Sequence, residues 1–316
     1  MKFLVTGGAG FIGSHIADAL VGNSDKVKVI DDFSSGRMEN LQPVLNKIEL
    51  IKGDIRNKEL VAKAAEGVDY ILHQAALRSV PKSLANPELY NDVNINGTLN
   101  ILTAARDAKV KRVVIASSSS IYGDIEKFPE REDFLPELIS PYGLTKLAAE
   151  YYSRIFNKIY GLETVNLRYF NVFGPRQSLE NEYAVVIPKF ITCILKDEPP
   201  PVHGDGKQTR DFTYIANVVQ ANIKSAVTPG IKCEVFNIAC GKAYAVLDII
   251  KYVNKILGKD IKPKFGPIRP GDTKHTLADI SKARKLIGFK PEIGFEEGLK
   301  KTIEYFRGTV KPVGQV

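Results

Sequence analysis

A glycine-rich turn joins an apolar strand pattern, residues 2–6, to a helix pattern that begins near residue 11. In such a turn Gly7 allows the tight bend, Gly10 lets the backbone approach a phosphate, and Gly13 lets helix and strand pack closely. The N-terminus of the helix presents free N–H groups to an anion. The pattern therefore predicts an α/β fold whose first turn holds the pyrophosphate of a dinucleotide, although a glycine triplet alone also occurs in turns that bind nothing.

An acidic pair after the second predicted strand supports this interpretation. Asp31 and Asp32 close the apolar segment 26–30, about 20 residues beyond the glycines, where a carboxylate accepts hydrogen bonds from the adenosine ribose. A carboxylate there repels a 2′-phosphate, which favours NAD over NADP; the nearby Arg37 is the residue that argues for NADP. Together the two features predict dinucleotide binding.

The composition is that of a globular protein. Hydrophobic residues make up 44% of the 316 residues and charged residues 25%. No segment approaches the roughly 20 apolar residues of a membrane span, and the short, glycine-broken N-terminal run is not a signal peptide. The odd set of three cysteines, Cys193, Cys233 and Cys240, lacks metal-site spacing. We expect reduced thiols, no metal site, no membrane partner and a cytoplasmic location.

The formal net charge of +8 raises the alternative of a nucleic-acid-binding protein. The basic residues are spread along the chain and interleaved with acidic ones, and small groups such as Lys109, Lys111 and Arg112 are typical of solvated helix ends. We therefore expect no nucleic-acid partner. A modest positive charge suits an anionic nucleotide.

Strand and helix patterns alternate up to about residue 170. The helices begin near residues 11, 37, 57, 84 and 142, and the predicted strands are 2–6, 26–31, 48–52, 68–73, 111–116 and 162–168. Short runs rich in valine and isoleucine between helices predict a doubly wound parallel sheet, with the cofactor at the carboxyl ends of the strands.

The pattern changes beyond residue 170, where proline and glycine become denser. Short strands there separate predicted helices at 183–196, 214–227, 246–257 and 295–307. We predict a first domain, 1–170, which binds the cofactor, and a smaller α/β lobe, 171–316, which binds the substrate and is intertwined with the first. The cleft between them is the predicted site.

A tyrosine and a lysine share one face of the helix predicted near residue 142. Tyr142 and Lys146 are four residues apart, and a lysine ammonium one turn away favours the phenolate of a tyrosine that is otherwise a weak base at neutral pH. The serine run 117–120 ends the fifth predicted strand, where one hydroxyl can hydrogen-bond a substrate oxygen. The alternative for the run is a polar strand end.

Several further segments complete a resemblance that covers essentially the whole chain. Besides the glycine turn, the serine run and the Tyr142/Lys146 pair, they are 53–55, 73–76, 94–98, 168–175, 210–211 and 269–272. In combination they resemble the extended short-chain dehydrogenases/reductases, and among them the NAD-dependent UDP-glucose/UDP-N-acetylglucosamine 4-epimerases. The resemblance implies a Rossmann domain with a smaller C-terminal lobe, and Ser118, Tyr142 and Lys146 as catalytic residues.

The resemblance also implies two sets of binding residues. The cofactor set is Gly7, Gly10, Phe11, Ile12, Gly13, Asp31, Asp32, Ser35, Gly36, Asp54, Ile55, Gln74, Ala75, Ala76, Arg78, Asn94, Ser117, Tyr142, Lys146 and Tyr169. The substrate set is Ser118, Ser119, Ser120, Asn171, Val185, Val186, Val202, His203, Arg210, Arg269, Asp272 and Thr276. Among these, Arg210 and Arg269 would clamp the phosphates, as a guanidinium fork can. Core packing is the alternative role of the three valines, and a position at a strand edge is the alternative for His203.

The activity implied is inversion of C4 of a UDP-hexose through a transient 4-keto sugar. The related dehydratases and decarboxylases place a carboxylate directly after the catalytic hydroxyl residue, where this chain has Ser119 and Ser120. Thr276 stands where a tyrosine is associated with exclusion of N-acetylated sugars, and Gln177 resembles the N-acetylhexosamine epimerases. We therefore expect turnover of UDP-glucose/UDP-galactose and of the N-acetylated pair.

Three alternatives stay open. They are a UDP-glucuronate 4-epimerase in which Arg78 meets the C6 carboxylate, a decarboxylase, and a family member that binds NAD without catalysis. Family members usually dimerise through the helices that correspond to 84–108 and 142–160. The positions at helical spacing are Leu99, Leu102, Ala105, Leu147, Tyr151 and Ile155, and the same spacing describes a face packed on the chain's own sheet.

Overall fold

A parallel sheet of seven strands is the centre of the computed structural model, which describes residues 1–179, 186–267 and 273–309. In chain order its strands are β1 (Lys2–Thr6), β2 (Lys26–Asp31), β3 (Ile48–Lys52), β4 (Tyr70–His73), β5 (Arg112–Ser118), β6 (Glu163–Tyr169) and β11 (Cys233–Ile238). The order across the sheet is β11-β6-β5-β4-β1-β2-β3. The order reverses between β1 and β4, so the crevice of a doubly wound fold lies at the carboxyl ends of these two strands. The predicted fold class is confirmed.

Six shorter strands pair in three small sheets outside the central sheet. They are β7 (Val172–Phe173), β8 (Pro201–His203), β9 (Thr209–Asp211), β10 (Thr213–Tyr214), β12 (Ala243–Ala245) and β13 (Lys264–Gly266). The α-helices are α1 (Phe11–Gly22), α2 (Lys58–Ala65), α3 (Val80–Ala85), α4 (Pro87–Asn91), α5 (Gly97–Asp107), α6 (Pro141–Tyr160), α7 (Val186–Leu195), α8 (Ile215–Val227), α9 (Val246–Leu257), α10 (Ser281–Ile287) and α11 (Phe295–Thr309).

Both faces of the central sheet are buried because alternate residues of its strands point to opposite sides. Phe3 and Val5 of β1 belong to the core under α1 and α8, whereas Leu4 belongs to the core under α2, α5 and α6. No helix in the described ranges is long and apolar enough to cross a membrane.

The prediction of an α-helix near residue 37 is wrong. The structure has two 3-10 turns there, Met38–Asn40 and Gln42–Lys47, because Pro43 lacks an N–H and disfavours a helical Gln42. The helix predicted near residue 84 is divided into α3, α4, a π-helical turn (Asp92–Asn96) and α5. A proline stands within the first two residues of both α3 and α4, so the division is visible in the sequence.

Two elements from beyond residue 170 belong to the central layers. Strand β11, which the sequence predicted only as a short strand of the second part, pairs with β6 and completes the central sheet, and α8 packs against α1. The two parts of the chain thus exchange elements, and the boundary at residue 170 stays a prediction.

Only part of the predicted dimer face is exposed. Leu102 and Ala105 are fully buried in the core that α5 shares with the sheet, which is the alternative role that their spacing allowed. Tyr151 and Ile155 of α6 are more than half exposed, at 53% and 51%.

Candidate active site

The glycine turn has the backbone geometry expected of its glycines. Gly7 has φ +65°, and a Cβ there would lie 2.7 Å from the amide nitrogen of Ala75. A Cβ on Gly13 would overlap the carbonyl oxygen of Gly7, so helix α1 can start this close to β1 only with glycine. A Cβ on Gly10 would lie 3.1 Å from the carbonyl oxygen of Gly7. The turn fits a pyrophosphate at the N-terminus of α1.

The acidic residues predicted to contact the adenosine lie at the ends of β2 and β3. Asp31 accepts hydrogen bonds from the backbone N–H of Ala9 and of Phe33, each at 2.8 Å, and burial raises the pKa of its carboxyl group. It therefore joins the glycine turn to the end of β2 and keeps further acceptor capacity. Asp54 accepts from Arg56 at 2.6 Å, which lowers the pKa of this aspartate.

Two predicted cofactor residues after β4 are held by hydrogen bonds. The Oδ1 atom of Asn94 accepts from the backbone N–H of Leu77 at 2.8 Å. The Oε1 atom of Gln74 accepts from the hydroxyl of Tyr169 at 3.0 Å. These bonds fix the loop after β4 between the π-helical turn and the end of β6.

The predicted catalytic hydroxyl groups meet where β5 ends and α6 begins. The side chain of Ser140 caps α6 by accepting from Gly143 N at 3.1 Å, which places Tyr142 in the first turn. Tyr142 is buried, and its phenol interacts with the Ser118 hydroxyl. Burial raises the pKa of Tyr142, while the bond to Ser118 and the nearby Arg78 cation oppose that rise. The phenol is thus held beside a hydroxyl and a cation.

Lys146 lies one turn further along α6. Its Nζ atom donates to the backbone carbonyl of Ala116 at 2.8 Å and lies 5.9 Å from the ring centroid of Tyr142. Burial lowers the pKa of this lysine to about 8. The structure therefore places the predicted cation near the tyrosine, with its closest hydrogen bond to the backbone of β5.

Ser117 points to the other side of the strand. Its hydroxyl donates to Glu150 at 2.6 Å, and Glu150 pairs with Arg168 at 2.8 Å. Both members of this ion pair are only 5% exposed. The Ser117 side chain thus belongs to a buried polar network that joins β5, β6 and α6.

A cleft of about 640 Å³ brings most of the remaining predicted residues together. Residues from both parts of the chain line it: Phe11, Ile12, Arg78, Ser117, Ser118, Ser119, Ser120, Tyr142, Tyr169, Asn171, Val186, Val202, His203, Arg210 and Thr276. The glycines, Asp31, Asp32, Ser35, Gly36, Asp54, Ile55, Gln74, Ala75 and Ala76 follow the carboxyl ends of β1 to β4. Val185, Arg269 and Asp272 lie outside the described residues. The roles of all these residues stay predictions.

The far wall of the cleft is built from β9 and the segment 273–279. The guanidinium group of Arg210 donates to the carbonyl groups of Thr209, at 2.9 Å, and Lys274, at 3.2 Å. The Thr276 hydroxyl accepts from Asn171 Nδ2 at 3.2 Å. Arg210, Asn171 and Thr276 are therefore fixed in place along the cleft that the Tyr142 side chain also lines.

The sequence analysis missed Glu130, a buried carboxyl group in the wall of the cleft. Glu130 is 2% exposed, and its Oε2 atom accepts from Leu277 N at 3.2 Å. Burial, and to a smaller extent the nearby Asp211, raise its pKa to about 8, against the opposing effects of the Leu277 N–H and the Arg210 cation. Nothing in the local sequence distinguishes it from other acidic residues of the long loop between β5 and α6.

We expect Glu130→Gln to make the folded state less sensitive to pH. The folded protein keeps a proton on Glu130 that an unfolded chain releases near pH 4.5, so stability falls as the pH rises from 4.5 to about 8. The glutamine variant lacks this loss of stability. Its free energy of unfolding, relative to that of the unsubstituted protein, should therefore increase as the pH rises from 4.5 to about 8. Urea unfolding of both proteins at about pH 5 and about pH 9 measures it. An equal difference at the two pH values would contradict the assignment.

Comparison with known proteins agrees with this geometry. The GDP-mannose 4,6 dehydratase family matches residues 4–302. The chain belongs to this family, within the extended short-chain dehydrogenases/reductases, and the predicted resemblance is confirmed.

Three relatives are similar over nearly their whole length. The putative UDP-glucose 4-epimerase of Methanocaldococcus jannaschii is 40% identical over 306 residues, 96% of this chain and 98% of the relative. The UDP-N-acetylglucosamine 4-epimerase of Methanobrevibacter ruminantium M1, solved in complex with UDP-N-acetylmuramic acid, is 43% identical in sequence. Its structure superposes with TM-score 0.94 over 98% of this chain and 99% of that protein. The UDP-glucuronic acid 4-epimerase of Bacillus cereus with UDP-glucuronic acid and NAD is 36% identical, with TM-score 0.92 and coverage of 98% and 100%.

Proposed function

We propose that this protein inverts C4 of a UDP-hexose, with NAD as its cofactor. The observation that carries the proposal is the position of Tyr142 and Ser118 in a cleft whose one wall begins at the glycine turn and whose other wall holds Arg210 and Asn171. The names of the three relatives support it.

The residues present fit the cofactor. Gly7, Gly10 and Gly13 leave the N-terminus of α1 accessible to a pyrophosphate, and Asp31 at the end of β2 retains acceptor capacity for a ribose. When bound there, NAD would supply a hydride acceptor and donor for C4 of the sugar. Carboxylate and glycine positions thus suit NAD rather than NADP.

In this proposal Tyr142 is the general base. Its phenolate oxygen takes the proton of the sugar 4-hydroxyl and later returns it, while the Ser118 hydroxyl orients the same oxygen. The Arg78 cation favours the phenolate against the cost of burial, and the Lys146 ammonium group lies 5.9 Å from the ring centroid of Tyr142. Enclosure of the phenol keeps water from the transferred proton.

Inversion requires the hexose to present both faces of C4 to the same wall. The nucleotide must therefore be held more firmly than the hexose, and Arg210 on the far wall is the described residue suited to the phosphates. No described residue directly after Ser118 carries a carboxylate, because Ser119 and Ser120 follow it. A dehydratase or decarboxylase would need such a group at the sugar, so C4 inversion is the simpler reaction.

The direct test is an NMR time course of the purified protein with UDP-glucose and, separately, with UDP-N-acetylglucosamine. We expect galacto-configured product from both. Failure with both substrates, even with added NAD, would contradict the proposal. UDP-glucuronate would then be tested, because Arg78 in the cleft is a cation that suits a C6 carboxylate.

Thr276 is the residue at which we expect the sugar substituent to be selected. Thr276→Tyr should reduce turnover of UDP-N-acetylglucosamine by more than about tenfold and that of UDP-glucose by less than about threefold, since the larger ring fills part of the cleft. Thr276→Val is the control, because it removes the hydroxyl group without adding bulk. Equal losses for both substrates in the tyrosine variant would contradict this role.

We also propose a homodimer formed through α6. Leu144, Tyr151, Ile155 and Ile159 recur at helical spacing on this helix and are 51–63% exposed. Tyr151→Glu with Ile155→Glu should convert a species of twice 34.9 kDa into one of 34.9 kDa in sedimentation velocity. Lys300→Glu with Lys301→Glu on α11 is the control. A dimer that survives the α6 substitutions would contradict the proposal.

A further inference from the structure

The turn of residues 174–177 is fastened to the middle of α1. The carbonyl oxygen of Pro175 accepts from His15 Nε2 at 3.0 Å, and Arg176 Nη2 pairs with Asp18 Oδ2 at 2.6 Å. Burial lowers the pKa of His15, so the ring is neutral near pH 7 with its proton on Nε2. Two side chains one helical turn apart on α1 thus hold two consecutive residues of the turn.

The turn holds a backbone conformation that it would not adopt without support. Arg176 has φ +64°, a left-handed value that is uncommon for a residue with a long side chain. Its side chain is 16% exposed and that of Asp18 27%. Because the pair is largely shielded from water, removal of one partner leaves a poorly solvated charge, so the pair fixes the turn more firmly than a surface ion pair.

The next residue, Gln177, points into the cleft. It is 7% exposed, and its Nε2 atom donates to the carbonyl of Val172 at 3.0 Å. Within the part of the chain that the structure describes, its Oε1 atom has no hydrogen-bond partner. A buried amide oxygen without a donor is costly, so a hydroxyl or amide N–H of a ligand in the cleft would relieve it.

The same helix also carries part of the cofactor wall. Phe11 and Ile12, in the first turn of α1 after Gly10, line the cleft that contains Gln177. A shift of the turn on α1 would therefore move Gln177 relative to the glycine turn. The position of Gln177 relative to Phe11 and Ile12 is thus set partly by the contacts of His15 and Asp18 with the turn, which touch neither cofactor nor substrate.

We infer that Asp18 and Arg176 are positioning residues for the sugar nucleotide: their ion pair fixes the turn of residues 174–177 on α1 and holds the Gln177 carboxamide in the cleft. The inference rests on the proposed function for the identity of the ligand. It assigns to Asp18 and Arg176 an effect on substrate binding that is transmitted through Gln177, although neither residue lines the cleft.

A double-mutant cycle with binding as the readout tests this. Calorimetry with UDP-N-acetylglucosamine would compare the NAD-loaded unsubstituted protein with Asp18→Asn, Gln177→Ala and the double variant. We expect Asp18→Asn to weaken binding about five- to tenfold in the unsubstituted background, the worth of one hydrogen bond, and less than about twofold in the Gln177→Ala background. The same variant should raise KM with kcat changed less than about twofold.

Equal losses in both backgrounds, or no loss in either, would overturn the inference. Arg176→Lys, which keeps the charge but not the planar fork, provides a second variant that should behave as Asp18→Asn does. Asp197→Asn, which breaks the ion pair to Lys259 away from the cleft, should leave binding unchanged. Binding by the unsubstituted protein without C4 inversion would contradict the proposed function alone, and the cycle would still decide the role of Asp18.

Discussion

Tyr142→Phe is expected to lower the rate of C4 inversion by about 1,000-fold, the middle of the range for loss of a positioned general base. The substitution removes only the phenolic oxygen that interacts with the Ser118 hydroxyl. Packing of the ring in the first turn of α6 is retained, so folding and nucleotide binding should be nearly unchanged. The rate is measured by NMR with UDP-glucose, and binding by calorimetry with UDP.

Tyr160→Phe is the matched control, since Tyr160 is the last residue of the same helix and is 51% exposed. The Tyr160→Phe variant should keep the rate of C4 inversion within about twofold, because Tyr160 lies away from the cleft. A Tyr142→Phe variant that retains more than about one tenth of the rate would contradict the assignment of the base and direct attention to another cleft residue.

The central layers were predictable where a local pattern determines the structure. The bounds of β1, β2 and β3 follow from short apolar runs, and α8 and α9 from helical spacing. The place of β11 in the central sheet was missed because its partner β6 lies far away in sequence, so no local signal shows that the chain returns to this sheet. The order of the strands, and hence the crevice at β1 and β4, likewise depends on long-range pairing.

The candidate site was predictable where a residue's chemistry is read from its neighbours in sequence. Tyr142 and Lys146 share a helix face because of their spacing, and the structure places the Lys146 Nζ atom 5.9 Å from the ring centroid of Tyr142. Glu130 and Asp18 have no such signal. Their environment comes from segments far along the chain, such as Leu277 for Glu130 and Arg176 for Asp18. Burial and ion pairing of this kind follow from tertiary packing alone.

Gly13→Ala is expected to abolish retention of NAD and to destabilise the fold, although it adds a single methyl group. The new Cβ would overlap the carbonyl oxygen of Gly7 and lie 2.8 Å from the Cα of Gly8, and both are backbone atoms that cannot move aside. Helix α1 must therefore shift away from β1, which disrupts the pyrophosphate site and the packing under α1. An overpacked site of this kind costs about 1–3 kcal/mol.

Gly22→Ala provides the same chemical change at the other end of the same helix. Among the described residues, and apart from the helix's own backbone and the chain neighbours, no atom lies within 4 Å of a Cβ on Gly22. This variant should therefore be unchanged or more stable by up to about 0.5 kcal/mol, because alanine favours the helix. Thermal unfolding and the NAD content of the purified proteins distinguish the two variants. A Gly13→Ala protein that keeps its NAD and melts with the Gly22→Ala protein would show that α1 can separate from β1 without loss of the cofactor site. Glycine would then be required in this turn only for the bend at Gly7, where φ is positive.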